Sequence, residues 1–346
     1  MSAHPALQHS ARLRRGGLLV TALLAVATLA APLACDRSVP GPEWMKGAPS
    51  QARLGVSMKV GWFLEHRDLQ TLIARYPLAD QALDIFLKKA RINPATETGR
   101  ITVYGSGDLN RLAKGPEGKP DPAEAAASVL LQLDGFQDPK ALQVAIAEAF
   151  PAEGTMRIDG KDCPLFVIMD FNQVHFRAAS DNRGRIWIGD LRALQRRASD
   201  QAPGPRSPMV RAGAWIDPGA PLQGFLAPGD WLDKAATQLP GDWSKEIPRG
   251  IATLAWSVAP GKEAKDGHKL ELALVGTPEA VAQATPWLQR LVAITNALPD
   301  APTVAPELVQ ERERVALRCT LTTSQIEGVL GRLGIPGVKF KPGSAA

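Results

Sequence analysis

The chain has 346 residues, of which 45% are hydrophobic and 22% are charged. This length and composition allow one large hydrophobic core or two domains of ordinary size, and they exclude a chain that is disordered throughout. The formal net charge is +5, but residues 1–34 hold three arginines and no acidic residue, so the remainder has a net charge of only +2. Such a small charge gives no support for nucleic acid binding.

The N-terminus has the order of residues that an export signal needs. Arg12, Arg14 and Arg15 are followed by a charge-free, Ala- and Leu-rich stretch over residues 18–34. A basic region before a short apolar helix is typical of a signal peptide. The stretch is shorter than the roughly 20 apolar residues that cross a bilayer. We therefore expect a signal peptide over residues 1–34.

The end of this stretch, Pro32-Leu33-Ala34-Cys35, resembles the lipobox of bacterial lipoproteins. The resemblance implies that Cys35 becomes the first residue of the mature chain and receives a diacylglyceryl group. It also implies a protein on the periplasmic side of the bacterial cell envelope, held to a membrane by this lipid. Pro32 stands where the family pattern usually has Leu. Cleavage by ordinary signal peptidase near Ala30 and a retained membrane anchor are the alternatives.

Residues 36–51 are rich in Pro, Gly and Ser. With Cys35 they predict a flexible tether over residues 35–51, with a typical reach of ~20–25 Å.

The remaining chain has the pattern of an α+β protein with two related halves, over residues 52–200 and 208–346. Alternating and apolar stretches predict strands, and Pro-initiated amphipathic stretches predict helices. In the first half we predict strands at 56–64, 100–105, 128–135 and 185–188, and helices at 69–75, 139–149 and 191–198. In the second half we predict strands at 209–216, 250–256, 269–276 and 314–321, and helices at 278–298 and 324–333. Each half is expected to form its own mainly antiparallel sheet covered by helices.

A match without gaps between the two halves supports this prediction. Trp62 aligns with Trp215, and Gln70 aligns with Gln223. Each half also has a strand that ends just before a capping residue and a proline, at Asp138-Pro139 and at Thr277-Pro278. The tandem strand–helix pattern after a signal peptide loosely resembles families of uncharacterised bacterial secreted proteins. This resemblance implies an arrangement of structural elements, and it implies no particular activity.

The sequence has no motif for catalysis or for binding a cofactor or metal. His66 and Asp68 follow a predicted strand and are the best candidates for an enzyme with dispersed residues, but they have no convergent partners in the sequence. His175 is expected to be an ordinary strand histidine. Cys163 and Cys319 either pair across a long loop or remain two buried thiols on different strands. We therefore expect a non-enzymatic protein with no cofactor and no metal.

The charged clusters have simple structural interpretations. The acidic pairs Asp134 with Asp138 and Asp162 with Asp170 are expected to cap helices and aid solubility. Three arginines on one short helix are expected to form a solvated face or, alternatively, to contact anionic headgroups. They are Arg192, Arg196 and Arg197.

Tryptophan is concentrated in the second half, and two of these residues stand in Pro- and Gly-rich sequence. Trp231 and Trp243 are the candidates for contact with a ligand or partner. The sequence thus predicts a binding or assembly module of the cell envelope. The alternative is a carrier or sensor of an apolar ligand bound between the two halves.

Overall fold

The computed structural model describes residues 42–60, 77–93, 99–106, 122–181, 184–200, 207–227, 249–261, 267–297, 303–322 and 325. These residues belong to one compact unit. Its helices are α1 (Glu43–Lys46), α2 (Pro77–Lys89), α3 (Pro122–Ala127), α4 (Pro139–Ala149), α5 (Leu191–Ser199), α6 (Pro208–Gly213) and α7 (Pro278–Asn296). Its strands are β1 (Ala52–Lys59), β2 (Arg100–Ser106), β3 (Val129–Asp134), β4 (Ala152–Ile158), β5 (Lys161–Phe171), β6 (Val174–Ser180), β7 (Ile186–Asp190), β8 (Leu222–Leu226), β9 (Ile251–Pro260), β10 (His268–Gly276), β11 (Glu307–Glu311) and β12 (Arg314–Leu321).

All twelve strands form one open sheet in the order β11-β12-β10-β9-β8-β1-β2-β3-β7-β6-β5-β4. Each neighbouring pair in this order is antiparallel. The prediction of two halves, each with its own sheet covered by helices, is therefore wrong. β1 and β8 pair directly, with Leu54 opposite Leu226 and Met58 opposite Leu222. This pairing joins the strands of the first and second parts of the chain into one layer.

A separate, local error concerns the segment that opens the second half. The apolar residues at 209–216 predict a strand, but residues 208–213 form α6. Ser207 accepts a hydrogen bond from the backbone N–H of Val210 (3.3 Å), and Pro208 occupies the first turn. This cap favours a helix over the strand that the apolar pattern suggests. The strand of this region is β8 instead, which starts at Leu222.

Most of the other predicted elements are present. β2, β3, β7, β9, β10 and β12 lie at the predicted positions within a few residues, and α4 spans Pro139–Ala149 as predicted. The predicted caps are also present: Asp138 accepts from the N–H groups of Lys140 and Ala141, both at 3.0 Å, and Thr277 accepts from Ala280 (3.2 Å). The predicted helices at 69–75 and 324–333 lie outside the described residues, apart from Gln325.

Helices pack on both faces of the sheet, because successive strand residues point to opposite sides. On one face, α2 and α4 cover Leu131, Leu133 and their neighbours, and α7 covers Leu274 and Leu317. On the other face, α1, α5 and α6 cover an aromatic cluster of Tyr104, Trp187 and Phe225. We call this second side, which carries α1, α5 and α6, the dock face.

Residues 42–50, the N-terminal segment, are part of this folded body. Trp44 is 4% exposed and Met45 is fully buried, and both belong to the core of the dock face. The tether predicted over residues 35–51 is therefore too long, because its last part packs on the sheet. None of the helices in the described part of the chain is long and apolar enough to cross a membrane.

Candidate functional site: the N-terminal dock

The residues singled out from the sequence as functional lie outside the described part of the chain. This holds for the lipidation candidate Cys35, for the contact candidates Trp231 and Trp243, and for His66 and Asp68. The site that the structure does describe is the place where the N-terminal segment meets the dock face.

A row of polar side chains crosses the middle of the sheet on the dock face. Six neighbouring strands place one polar residue each in direct opposition, and none of the six is more than 4% exposed. In order they are Glu271, Ser257, Gln223, Ser57, Thr102 and Gln132. We call this set the polar row. Since buried polar groups destabilise a protein unless they are hydrogen-bonded, each member needs hydrogen-bond partners within the row or around it.

Gln223 is at the centre of the polar row and holds the N-terminal segment. The indole Nε1 of Trp44 donates to its Oε1 at 2.6 Å. Its Nε2 lies 2.7–3.1 Å from the carbonyl oxygens of Asp217, Pro218 and Ala220. One buried amide therefore connects the N-terminal segment to the turn that precedes β8.

Two aromatic rings also pack against the side chain of Trp44. Its ring stacks on Phe225 with centroids 5.8 Å apart and lies tilted against Tyr104 at 6.3 Å. The Tyr104 hydroxyl donates to the carbonyl oxygen of Trp44 at 2.7 Å. Burial raises the pKa of Tyr104 far above its ordinary value, and the charge of Asp134 adds to this effect, so the hydroxyl remains a donor.

Two charged groups hold the turn before β8. The Glu271 carboxylate accepts from the N–H of Asp217 (2.5 Å), from Ser257 Oγ (3.0 Å) and from Lys269 Nζ (2.9 Å). Arg100 donates to Ser57 Oγ (2.9 Å) and to the carbonyl of Ala220 (3.0 Å). The turn that contacts Gln223 is thus fixed from both sides.

The pKa values near the polar row follow from these contacts. Burial alone would raise the pKa of Glu271, but the hydrogen bonds from Lys269, Ser257 and Asp217 outweigh it and hold the pKa below its usual value. Burial raises the pKa of Asp134 despite a hydrogen bond from Gln132, and burial lowers the pKa of Arg100. Glu271 is therefore the member of the polar row whose negative charge the fold stabilises.

The arginines of α5 do not form the free basic face that the sequence suggests. Arg197 is buried and donates to Asp159 Oδ1 at 2.6 Å. Arg192 pairs with Asp190 (2.7 Å), and Arg196 donates to the carbonyl of Ala127. These three side chains hold α5 to its neighbours.

A second charged cluster lies on β4, β5 and β6. The buried guanidinium of Arg177 pairs with Glu153 and with Asp170 (2.6 Å), and His175 Nδ1 lies 3.0 Å from the same Asp170 oxygen. The hydrogen bond from Arg177 lowers the pKa of both carboxyls. Asp170 is therefore an ion-pair partner, whereas the sequence suggested a capping role with Asp162.

The polar row is a connected set of buried hydrogen bonds between the sheet and the N-terminal segment. The members of the polar row hydrogen-bond to one another, to backbone groups, to the N-terminal segment and to charged side chains of the sheet, which are Arg100, Asp134 and Lys269. Within the described ranges, no group of three or more His, Cys, Asp or Glu side chains is placed to hold a metal ion. Neither a family model, nor a curated protein, nor a solved structure matches this chain.

Sequence reasoning missed Trp44 and Gln223 for different reasons. Trp44 stands in a Pro- and Gly-rich stretch that is typical of a linker, and a single tryptophan there has no periodicity. Gln223 was aligned with Gln70 of a predicted helix, while the structure places it on β8. A useful signal was present all the same, because a polar residue within the apolar stretch Leu222–Leu226 indicates a buried polar contact.

Proposed function

We propose that this chain is an exported lipoprotein of the bacterial cell envelope, with its lipid on Cys35 and its body on the periplasmic side of a membrane. Its body acts as a non-enzymatic binding or assembly module. The basic, apolar and small residues that precede Cys35 support the anchor. The observation that carries the proposal is the docked N-terminal segment, because it gives the anchor a rigid point of attachment to the body.

The docked segment limits how far the body can move from the anchor. Pro42 is seven residues after Cys35, and a fully extended chain of this length spans at most about 25 Å. In this proposal the dock face is the membrane-proximal side, since Trp44 is buried against it. The opposite face and the ends of the sheet then remain available to partners.

The carrier hypothesis receives no support from the described junction of β1 and β8. The ring of Phe225 lies so close to Gly55 that an added Cβ would be 2.3 Å from it. On the other face, the Trp256 ring lies even closer to Gly224, at 2.0 Å from an added Cβ. These two rings fill the space that an apolar ligand would need there, so we do not propose a carrier.

The anchor is tested by expressing the full chain in a bacterial host with an alkyne-labelled fatty acid. We expect label on the mature chain and its recovery with membranes. Cys35→Ala should abolish both, whereas the matched variant Cys319→Ala should retain both. An unlabelled wild-type chain released in soluble form would refute the anchor.

The binding role is tested by crosslinking on intact cells. We expect specific adducts that disappear in a Trp231→Ala/Trp243→Ala variant and persist in Phe171→Ala, a control that removes an exposed aromatic ring from the end of β5. If the double variant keeps every adduct, these two tryptophans are not the contact surface.

A further inference from the structure

The N-terminal segment is held in part by a chain of hydrogen-bonding side chains that ends at a carboxyl group. The Tyr104 hydroxyl donates to the carbonyl oxygen of Trp44 at 2.7 Å, and it also lies 3.3 Å from Gln132 Oε1. At the other end of the same amide, Gln132 Nε2 donates to Asp134 Oδ2 at 3.0 Å. The chain therefore runs from Trp44 through Tyr104 and Gln132 to Asp134.

This chain lacks one proton when Asp134 is ionised. A tyrosine hydroxyl has a single proton, so Tyr104 cannot donate to Trp44 and to Gln132 Oε1 together. Among the described residues, no other donor reaches Gln132 Oε1, which belongs to a side chain that is 3% exposed. With the N-terminal segment released, Tyr104 can donate to Gln132 instead. Docking therefore takes the donor away from a buried acceptor, which destabilises the docked state.

Protonation of Asp134 supplies the missing proton. A proton from solvent binds one carboxyl oxygen, and the new O–H donates to Gln132 Oε1 once the amide has turned over. The amide N–H then donates to the Tyr104 oxygen, whose own proton stays with the carbonyl oxygen of Trp44. Each donor and acceptor along the chain now has a partner while the N-terminal segment is in place.

We propose that Asp134 is a pH-dependent latch, which takes up a proton when the N-terminal segment docks and holds this segment more tightly in acid. The bound proton and the docked segment favour each other by the same factor, because the two equilibria are linked. The gain in docking is fully present below the pKa that Asp134 has with the segment released, and it is lost as the pH rises through the pKa of the docked state. The latch belongs to the folded body and does not depend on a lipid at Cys35.

The charged groups that face Asp134 leave room for this protonation. Burial raises the pKa of Asp134, and it outweighs the hydrogen bond from Gln132 and the charges of Arg100 and Arg185. Both guanidinium groups have other partners: Arg100 donates to the carbonyl of Ala220 at 3.0 Å, and Arg185 donates to a neighbouring aspartate at 2.8 Å. Among the described ion pairs, neither arginine is paired with Asp134.

The charged groups near Tyr104 are paired with one another. Arg197 donates to Asp159 at 2.6 Å, and Arg185 lies 3.6 Å from the same carboxylate. Their charges oppose each other at the Tyr104 hydroxyl, which burial keeps neutral. Asp134 is therefore the group of this chain that takes up the proton.

The test measures hydrogen exchange of the N-terminal segment by mass spectrometry in the purified full chain. The N–H groups of Met45, Gly47 and Ala48 donate to carbonyls within the segment, and a helix of four residues does not persist in isolation, so their exchange reports release of the segment. After correction for the intrinsic exchange rate, protection should rise about tenfold from about pH 7.5 to about pH 4.5, which corresponds to one pKa unit of linkage.

Three variants identify the group that titrates. Asp134→Asn keeps an N–H donor for Gln132 Oε1 at every pH, so protection should be high and independent of pH. Tyr104→Phe removes the hydroxyl that couples the segment to Gln132, so the rise in acid should be lost. Asp162→Asn makes the same chemical change as Asp134→Asn at an exposed position of β5 and should keep the tenfold rise.

The proposal is overturned if protection of the wild-type segment does not rise in acid. It is equally overturned if either Asp134→Asn or Tyr104→Phe keeps a rise of the wild-type size, or if Asp162→Asn abolishes the rise.

Discussion

The carboxylate of Glu271 contributes to the pH dependence of stability through its hydrogen bonds. Its pKa is below the usual value in the folded chain, so its contribution to stability is fully present above the unfolded pKa and is lost as the pH falls through the folded pKa. We expect Glu271→Gln to lower the free energy of unfolding by about 1–3 kcal/mol at neutral pH. The difference from wild type should shrink as the pH falls below about 4. Urea denaturation at several pH values measures it.

The matched control for this measurement is Glu148→Gln. Glu148 is exposed on α4, and its substitution should leave the unfolding free energy within about 0.5 kcal/mol of wild type at every pH. A wild-type protein whose advantage over Glu271→Gln stayed constant down to pH 3 would contradict the role given to the charge.

The N-terminal segment contributes to the stability of the folded body, which its Pro- and Gly-rich composition does not lead one to expect. Removing residues 1–50 would expose the Tyr104 hydroxyl and the Gln223 amide and would remove the buried Trp44 ring. We expect the shortened chain to lose about 3–5 kcal/mol of unfolding free energy relative to a chain that begins at residue 40. Denaturant unfolding of the two chains measures this difference.

The point variant Trp44→Phe separates packing from hydrogen bonding. It keeps an aromatic ring over Phe225 but leaves Gln223 Oε1 without its donor, which costs about 1–3 kcal/mol of unfolding free energy.

Equal stability of the shortened chain and the chain that begins at residue 40 would mean that the N-terminal segment does not belong to the folded body in solution.

Elements with a local signal could be predicted from the sequence, and elements fixed by distant contacts could not. α4 and α7 begin with an N-cap residue followed by proline, and β12 has a regular apolar alternation, so each is predicted close to its position. α6 begins with the same signal, Ser207 followed by Pro208, but the apolar residues after it also fit a strand. The N-terminal segment has no such signal. The six-residue α6 is too short for a helical period, and the N-terminal segment is held by side chains on β2 and β8, which are distant in sequence.

At the scale of the whole molecule, the sequence indicates the strands but not which edges meet. β1 and β8 are separated by more than 160 residues, and their pairing decides between two sheets and one. Neither strand has an unusual sequence, although each has a glycine, Gly55 and Gly224, where a ring from the next strand lies against the backbone. A glycine inside a strand is compatible with several explanations, so this packing could not be inferred from it.

The single sheet also decides the state of the two cysteines. Cys163 is on β5 and Cys319 on β12, the second strands from opposite ends of the order, so nine strand spacings of about 4.8 Å separate them. A disulfide requires Cα atoms within about 7 Å. Both thiols are free and buried, and burial raises the pKa of Cys319 to about 11 and also raises that of Cys163. The pairing that the sequence left open is therefore excluded by distance.

We expect neither thiol to react with a maleimide in the native protein, because the reactive thiolate is both inaccessible and disfavoured. Denaturation without reductant should make both react, even after export to an oxidising compartment, and intact mass gives the number of adducts. A lipid on Cys35 would keep that residue out of the count, so a third adduct would contradict the proposed anchor. A denatured, unreduced chain in which Cys163 and Cys319 stay unmodified would instead contradict the single sheet, because only a fold that brings β5 and β12 together permits their disulfide.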